Sequence, residues 1–253
     1  MSSRSGAVPD VRRAPAVVGL LLTGLLTGQL AACSIATAVP GTTTAAATVD
    51  ARPSSGPPSA SAPPATAVLA GLPVKGRAPM TGYRRARFGT DWADEDHDGC
   101  STREEILQRD LTGTTRRASG RCAVVVTGTL ADPYSGRRIA FQRGESTSSL
   151  VQIDHVVAVG DAWQKGAQQL APARRVAFYN DPLNLLAVEG HLNQSKGDGD
   201  AATWLPPSTA YRCSYVARQV AVKARYGLWV TTAEKAAIGR ILATCPDRRV
   251  PTG

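Results

Sequence analysis

The sequence predicts an α+β fold: a ββα core with an added β-hairpin and C-terminal helices. Three observations predict it. Ala123 to Leu130 is a β-branched run, Asp132-Pro133-Tyr134-Ser135-Gly136 reads as a turn, and Ile139 and Phe141 alternate with polar neighbours in a returning strand. Two further short apolar runs, Val151 with Ile153 and Leu185 to Val188, flank the turn signal Asn180-Asp181-Pro182 and read as buried strands. Tyr215, Val216, Gln219, Val220 and Lys223 then recur at helical spacing between Tyr211 and Tyr226, with Gly227 as the stop, and Thr232 caps a last helix through Leu242.

The start of the chain has a different character. Arg12 and Arg13 precede an apolar stretch from Ala14 to Leu30, and small residues lead to Cys33. That order predicts an export signal over residues 1–32. Leu30-Ala31-Ala32-Cys33 resembles the lipobox of bacterial lipoproteins, which implies cleavage before Cys33, its lipidation, and a lipid anchor on the outer face of the cell membrane. A plain secretory signal or an uncleaved anchor is the competing reading. Residues 34 to 76 hold seven of the 17 prolines, with Ala, Ser and Thr filling most of the rest. Such a composition predicts a disordered tether over 33–76, followed by one domain over 77–253.

The 253 residues are 43% hydrophobic, which is ordinary for a globular core. From Lys75 onward there are 25 Lys and Arg against 18 Asp and Glu, and six of those acids crowd into residues 94 to 105. The remaining surface is therefore basic, which suits a polyanion such as nucleic acid; solubility and wall affinity explain the same excess. No Ser-His-Asp grouping or zinc-ligand cluster is evident, so a protease or wall hydrolase lacks support.

The acidic segment is a motif in itself. Asp94, Asp96 and Asp98, then Gly99, and Glu105 after five more residues satisfy the spacing of an EF-hand loop over 94–105, with Cys100 at the backbone-ligand position. Ca²⁺ is the cofactor this spacing predicts. Ser101 and Glu104 form a capping box for an exit helix, whereas Phe88 to Trp92 reads as strand and turn, so no entering helix is expected. A helix N-terminus that favours acids is the alternative, and a contribution to a catalytic metal centre is another. Cys100, Cys122, Cys213 and Cys245 form an even set in an exported segment, which predicts two disulfides in one of three pairings; 100–122 with 213–245 is favoured because each would tie neighbouring elements, and zinc ligation, the alternative, lacks a Cys-x-x-Cys spacing. Arg212, Arg218, Lys223 and Arg225 read as a phosphate track or as a solvated helix face, and Trp163, Trp204 and Trp229 as core.

Chemistry concentrates between Val151 and Asp200. His155 ends a short apolar strand and titrates near neutrality, Asp154 beside it is a hard oxygen donor, and Asn184 opens the next strand. Asn193 and Lys196, three apart, share a helix face. Base, cation ligands and phosphate contact are what phosphodiester hydrolysis requires. Asp-His, Asn-Leu-Leu and Asn-x-x-Lys-Gly-Asp resemble the motif of HNH, or ββα-metal, nucleases. The longer pattern, over residues 80 to 246, is similar to the nuclease family found at the C-terminus of GmrSD-type restriction enzymes and in many secreted bacterial proteins. The resemblance implies a Mg²⁺ or Mn²⁺ held by Asp154 and Asn193, with His155 as general base. It also implies that Asn184 braces the His loop and that Lys196 contacts phosphate. Many members carry His as the last ligand, which makes His191 an alternative to Asn193. The expected activity is an exported endonuclease acting on nucleic acid, DNA before RNA; a non-catalytic, Ca²⁺-stabilised envelope module that binds polyanions is the second reading.

Overall fold

Ala65, Leu69 and Leu72 recur at helical spacing directly after Pro63-Pro64. In the structure, a computed structural model describing residues 62–89 and 92–252, they are buried along and just after the helix Ala65–Gly71 (α1). The Ala65 N–H is bonded to the Arg248 carbonyl at 2.8 Å, and the Lys75 N–H to the Val230 carbonyl at 3.0 Å. Residues 62–76 therefore belong to the fold, which corrects the expected end of the tether at 76. Alanine counted towards a tether composition there, yet it is the best helix former and the leucines give it an apolar face. The export signal, Cys33 and the tether up to residue 61 lie outside the described residues. Among the described residues no helix is long and apolar enough to cross a membrane.

Phe88 does not start a strand; it closes a 3-10 turn at Arg85–Phe88 and is buried between Trp163 and Phe178. The exit helix exists as Thr102–Asp110 (α2), but without the expected capping box. Glu104 turns inward instead, accepting the Val125 N–H and pairing with Arg143 at 2.5 Å, so its carboxylate satisfies a buried backbone donor of the sheet rather than the Ser101 N–H.

The hairpin is part of a three-stranded antiparallel sheet of Leu111–Ser119 (β1), Cys122–Ala131 (β2) and Arg138–Gln142 (β3), in that order. β1 was not foreseen, since its Thr- and Arg-rich sequence is mostly exposed and shows no apolar alternation. The motif region forms a second antiparallel pair, Val151–His155 (β4) with Leu185–Glu189 (β5), in which Asp154 faces Leu186 and His155 faces Leu185. Val159–Gln164 (α3) and Pro172–Asn180 (α4) lie between them in the chain, and Gly190–Lys196 (α5) follows β5 at once. Ile153, Leu185 and Ala187 pack towards the three-stranded sheet, whereas Leu186 and Val188 pack towards the C-terminal helices. Burial of both faces explains why β5 reads as a continuous apolar run.

Arg212–Tyr226 (α6) ends at Gly227, whose φ of 64° is the left-handed stop that glycine provides. Thr232–Leu242 (α7) is capped by Thr231, one residue before the expected Thr232, in a capping box with Glu234. Both expected disulfides, Cys100–Cys122 and Cys213–Cys245, are present. The four basic residues of α6 are not a phosphate track. Lys223 is fully buried among carboxylates, Arg225 pairs with Asp181, and Arg212 and Arg218 donate to backbone carbonyls. Trp163 and Trp229 are core, as expected, and Trp204 is partly buried against it.

Candidate active site

β4 delivers Asp154 and His155 to one end of the β4–β5 pair, and the turn beyond them is clamped by Asn184. The Val157 N–H donates to Asn184 Oδ1 at 2.8 Å, Asn184 Nδ2 donates back to the Val157 carbonyl at 3.3 Å, and the Val156 N–H meets the Asn184 carbonyl at 2.8 Å. Asn184 is fully buried, so these bonds are not shared with water. His155 Nε2 lies 2.8 Å from the Tyr179 carbonyl. A carbonyl only accepts, so Nε2 carries the proton and Nδ1 is left with a lone pair. The ring is fixed between Trp92, stacked at 5.5 Å, and Tyr179 at 4.4 Å. Burial first, then the Arg85 charge, lowers the imidazole pKa to about 3, against the pull of the Tyr179 carbonyl. His155 is thus a neutral, oriented imidazole.

A cleft of about 230 Å³ opens at this point, lined by Arg85, Asp154, His155, Asn193, Gly197 and Asp198 among others. Asp154 accepts Lys196 Nζ at 2.9 Å on one oxygen and the Tyr134 hydroxyl at 2.5 Å on the other. Burial raises its pKa, and Lys196 and Tyr134 oppose that shift. Asn193 Nδ2 donates to Gln152 Oε1 at 2.9 Å, which leaves Oδ1, without a donor among the described residues, as the free end of the amide. Carboxylate and amide oxygens in one cleft are a donor set that suits Mg²⁺ or Mn²⁺.

Lys196 has other neighbours than the phosphate expected of it. Its Nζ is buried against Asp154 and the His155 carbonyl, and it does not line the cleft. His191, the expected alternative ligand, is exposed and lines a separate groove with Arg137, Arg138 and Leu150. Sequence reasoning missed Arg85 and gave no role to Asp198, the last residue of the Asn-x-x-Lys-Gly-Asp pattern. Asp198 Oδ1 accepts the Gly160 N–H at 3.1 Å, an approach that only a glycine permits, since a Cβ there would come within 2.3 Å of the carboxylate. Nothing in the spacing of Arg84, Arg85 and Arg87 singles out the one that the 3-10 turn presents to the cleft.

In the acidic loop, ligand oxygens of Asp94, Asp96 and Asp98 lie within 4.8 Å of one another. Asp94 Oδ1 and Glu105 Oε1 are enclosed without a hydrogen-bond partner among the described residues. Burial, then the charges of Asp96, Asp98, Asp94 and Glu95, raises the Glu105 pKa. The Thr102 N–H and hydroxyl both donate to the Ala93 carbonyl at 2.7 Å, and the Ala93 N–H donates to Asn180 at 3.0 Å. The loop thus fixes the segment that carries Trp92 onto His155.

An antiparallel strand pair that ends in Asp-His, an asparagine that clamps the following turn, and a helix bearing Asn-x-x-Lys are the ββα arrangement of HNH-type domains. The family model for the C-terminal domain of GmrSD restriction endonucleases matches residues 101–241, and the chain belongs to that family. It is also 38% identical over 183 residues to a protein of Arthroderma benhamiae described as an uncharacterized secreted protein, an alignment that covers 72% of this chain and 84% of that one.

Proposed function

We propose that this chain is an exported, metal-dependent endonuclease that hydrolyses phosphodiester bonds of nucleic acid, DNA in the first place. The observation that carries the reading is His155: a neutral imidazole whose Nε2–H is held by the Tyr179 carbonyl, in one cleft with Asp154 and Asn193. Asp154 and Asn193 would hold Mg²⁺ or Mn²⁺, which when bound supplies positive charge against the charge developing on the phosphate. His155 Nδ1 takes a proton from a water as its oxygen bonds to phosphorus and the ester P–O bond breaks. Asn184 keeps the base in register by fixing Val157, and Lys196 with Tyr134 holds the Asp154 carboxylate in place. Export is supported by the secreted relative and by the two disulfides, and the anchor at Cys33 by the lipobox resemblance. Plasmid DNA incubated with the purified chain is expected to be nicked with Mg²⁺ or Mn²⁺ and left intact with EDTA. Retention of DNA without nicking in either ion would instead fit the polyanion-binding module.

The same reading gives the 94–105 loop a structural Ca²⁺, held by Asp94, Asp96, Asp98, Glu105 and the Cys100 carbonyl, and supported by the two enclosed oxygens without partners. Exported sites of this kind bind at ~10⁻⁴–10⁻³ M. Saturation at ten to a hundred times Kd adds about 1.4–2.7 kcal/mol, a few degrees in Tm. Calorimetry with CaCl₂ on the parent and on Asp96→Asn/Asp98→Asn checks this; equal shifts in both would remove the site.

A further inference from the structure

Among the described residues that line the catalytic cleft, Arg85 is the only cation. Its neighbours in the sequence do not explain that position, and the candidate phosphate contact Lys196 is enclosed behind Asp154. Arg85 is exposed and makes no ion pair among the described residues. Its partner is Tyr179: the guanidinium carbon lies 5.3 Å from the ring centroid, and Nε donates to the hydroxyl at 3.4 Å. Tyr179 also supplies the carbonyl that holds His155 Nε2, at 2.8 Å. One residue therefore positions both the base and the guanidinium, the first through its backbone and the second through its ring. The turn beneath Arg85 is fixed as well. Phe88 is fully buried against Phe178 and Trp163, and Arg175 Nε donates to the Arg87 carbonyl at 3.0 Å.

Resting on the nuclease reading, we propose that Arg85 is a further catalytic residue, whose guanidinium binds the non-bridging oxygens of the scissile phosphate beside the proton-accepting face of His155. The chemistry calls for such a group. A phosphodiester carries one negative charge, and attack by water adds a second before the leaving oxygen departs. A guanidinium gives two parallel N–H donors to two phosphate oxygens and stays charged at every working pH. Its aromatic platform leaves those donors free while it limits the swing of the side chain. Arg85 and His155 line the same cleft, which places the guanidinium and the imidazole on one bound phosphate group.

The test measures kcat and KM on a short duplex with Mg²⁺ for the unsubstituted chain, Arg85→Ala and Arg85→Lys, with Arg84→Ala as a neighbouring control. Loss of one preorganised donor to a developing charge costs on the order of 10²-fold or more in kcat. Arg85→Ala is expected to lose about that, with Tm unchanged, and Arg85→Lys to fall between. Added guanidinium ion should partly restore Arg85→Ala and leave the parent and Arg84→Ala unimproved. A kcat within threefold of the parent, an effect confined to KM, or a loss that guanidinium leaves untouched would overturn the assignment. No turnover by the unsubstituted chain would overturn the nuclease reading and this proposal with it; turnover by the parent with an unaffected Arg85→Ala would overturn this proposal alone.

Discussion

His155→Ala is expected to lower DNA cleavage by about 10³–10⁴-fold, the upper range for removal of a general base. Removing a ring packed between Trp92 and Tyr179 also opens a cavity, so His155→Asn is the cleaner variant: its amide still offers an N–H to the Tyr179 carbonyl but has no basic nitrogen. Both should bind DNA and neither should cut it; an Asn variant within tenfold of the parent would refute the assigned base. The pH dependence follows from the same burial. With its pKa lowered to about 3, by burial first and then by Arg85, the folded His155 remains unprotonated at pH 5. The rate should therefore show no fall through an ordinary histidine pKa between pH 7 and pH 5. Stability carries the opposite signature. The unfolded chain binds a proton at this histidine below about pH 6.5 and the folded chain does not, so this group's contribution to stability is lost as pH falls from about 6.5 towards about 3. Urea midpoints across that window measure it.

The parts of the site that a sequence can display are those carried by residue type and order. Asp154, His155, Asn184, Asn193 and Lys196 were visible because their order along the chain matches a ββα motif, and strand pairing brings that order together. What each side chain touches was not visible. Lys196 reads as a phosphate contact until burial turns its ammonium to Asp154, and His191 reads as a ligand until the helix phase of α5 turns it to another groove. Arg85 lies 70 residues before His155 and reaches the cleft through tertiary packing of a turn, for which spacing carries no signal. The same limit applies to elements. β1 is exposed and polar, so its pairing with β2, not its own pattern, makes it a strand. α1 was hidden by a composition shared with the tether that precedes it.

Lys165→Met is expected to destabilise the fold by about 3–5 kcal/mol, because it would leave buried carboxylates facing too little positive charge. Lys165 Nζ is fully enclosed, 2.6 Å from Asp161, 2.7 Å from Asp200 and 2.7 Å from Glu234. Lys223 meets Asp161 at 3.2 Å and Glu234 at 3.0 Å, and Arg77 meets Asp161 at 3.2 Å and Asp200 at 2.6 Å. The cluster therefore balances three carboxylates against three cations. It joins α3, the loop after α5, α6, the start of α7 and the segment before the first 3-10 turn. Arg77 is 35% exposed, so water can replace much of what it supplies, and Arg77→Ala should cost roughly 1 kcal/mol or less. Urea unfolding of the two variants separates the cases, and a Lys165→Met protein within 1 kcal/mol of its parent would show that the cluster contributes little. Acid supplies a second readout. Burial works to raise the Asp200 pKa, but Lys165 and Arg77 hold it below the usual carboxylate range. Its contribution to stability is therefore present above its unfolded pKa and lost as pH falls through the folded one. Without Lys165 that folded pKa rises, so the variant should begin to unfold at a higher pH than the parent. The loop concerned runs from Asp198, which lines the cleft and caps Gly160, to Asp200, which anchors it. A shift in acid unfolding with a parallel loss of cleavage would mean that this buried cluster is the floor on which the catalytic cleft is held.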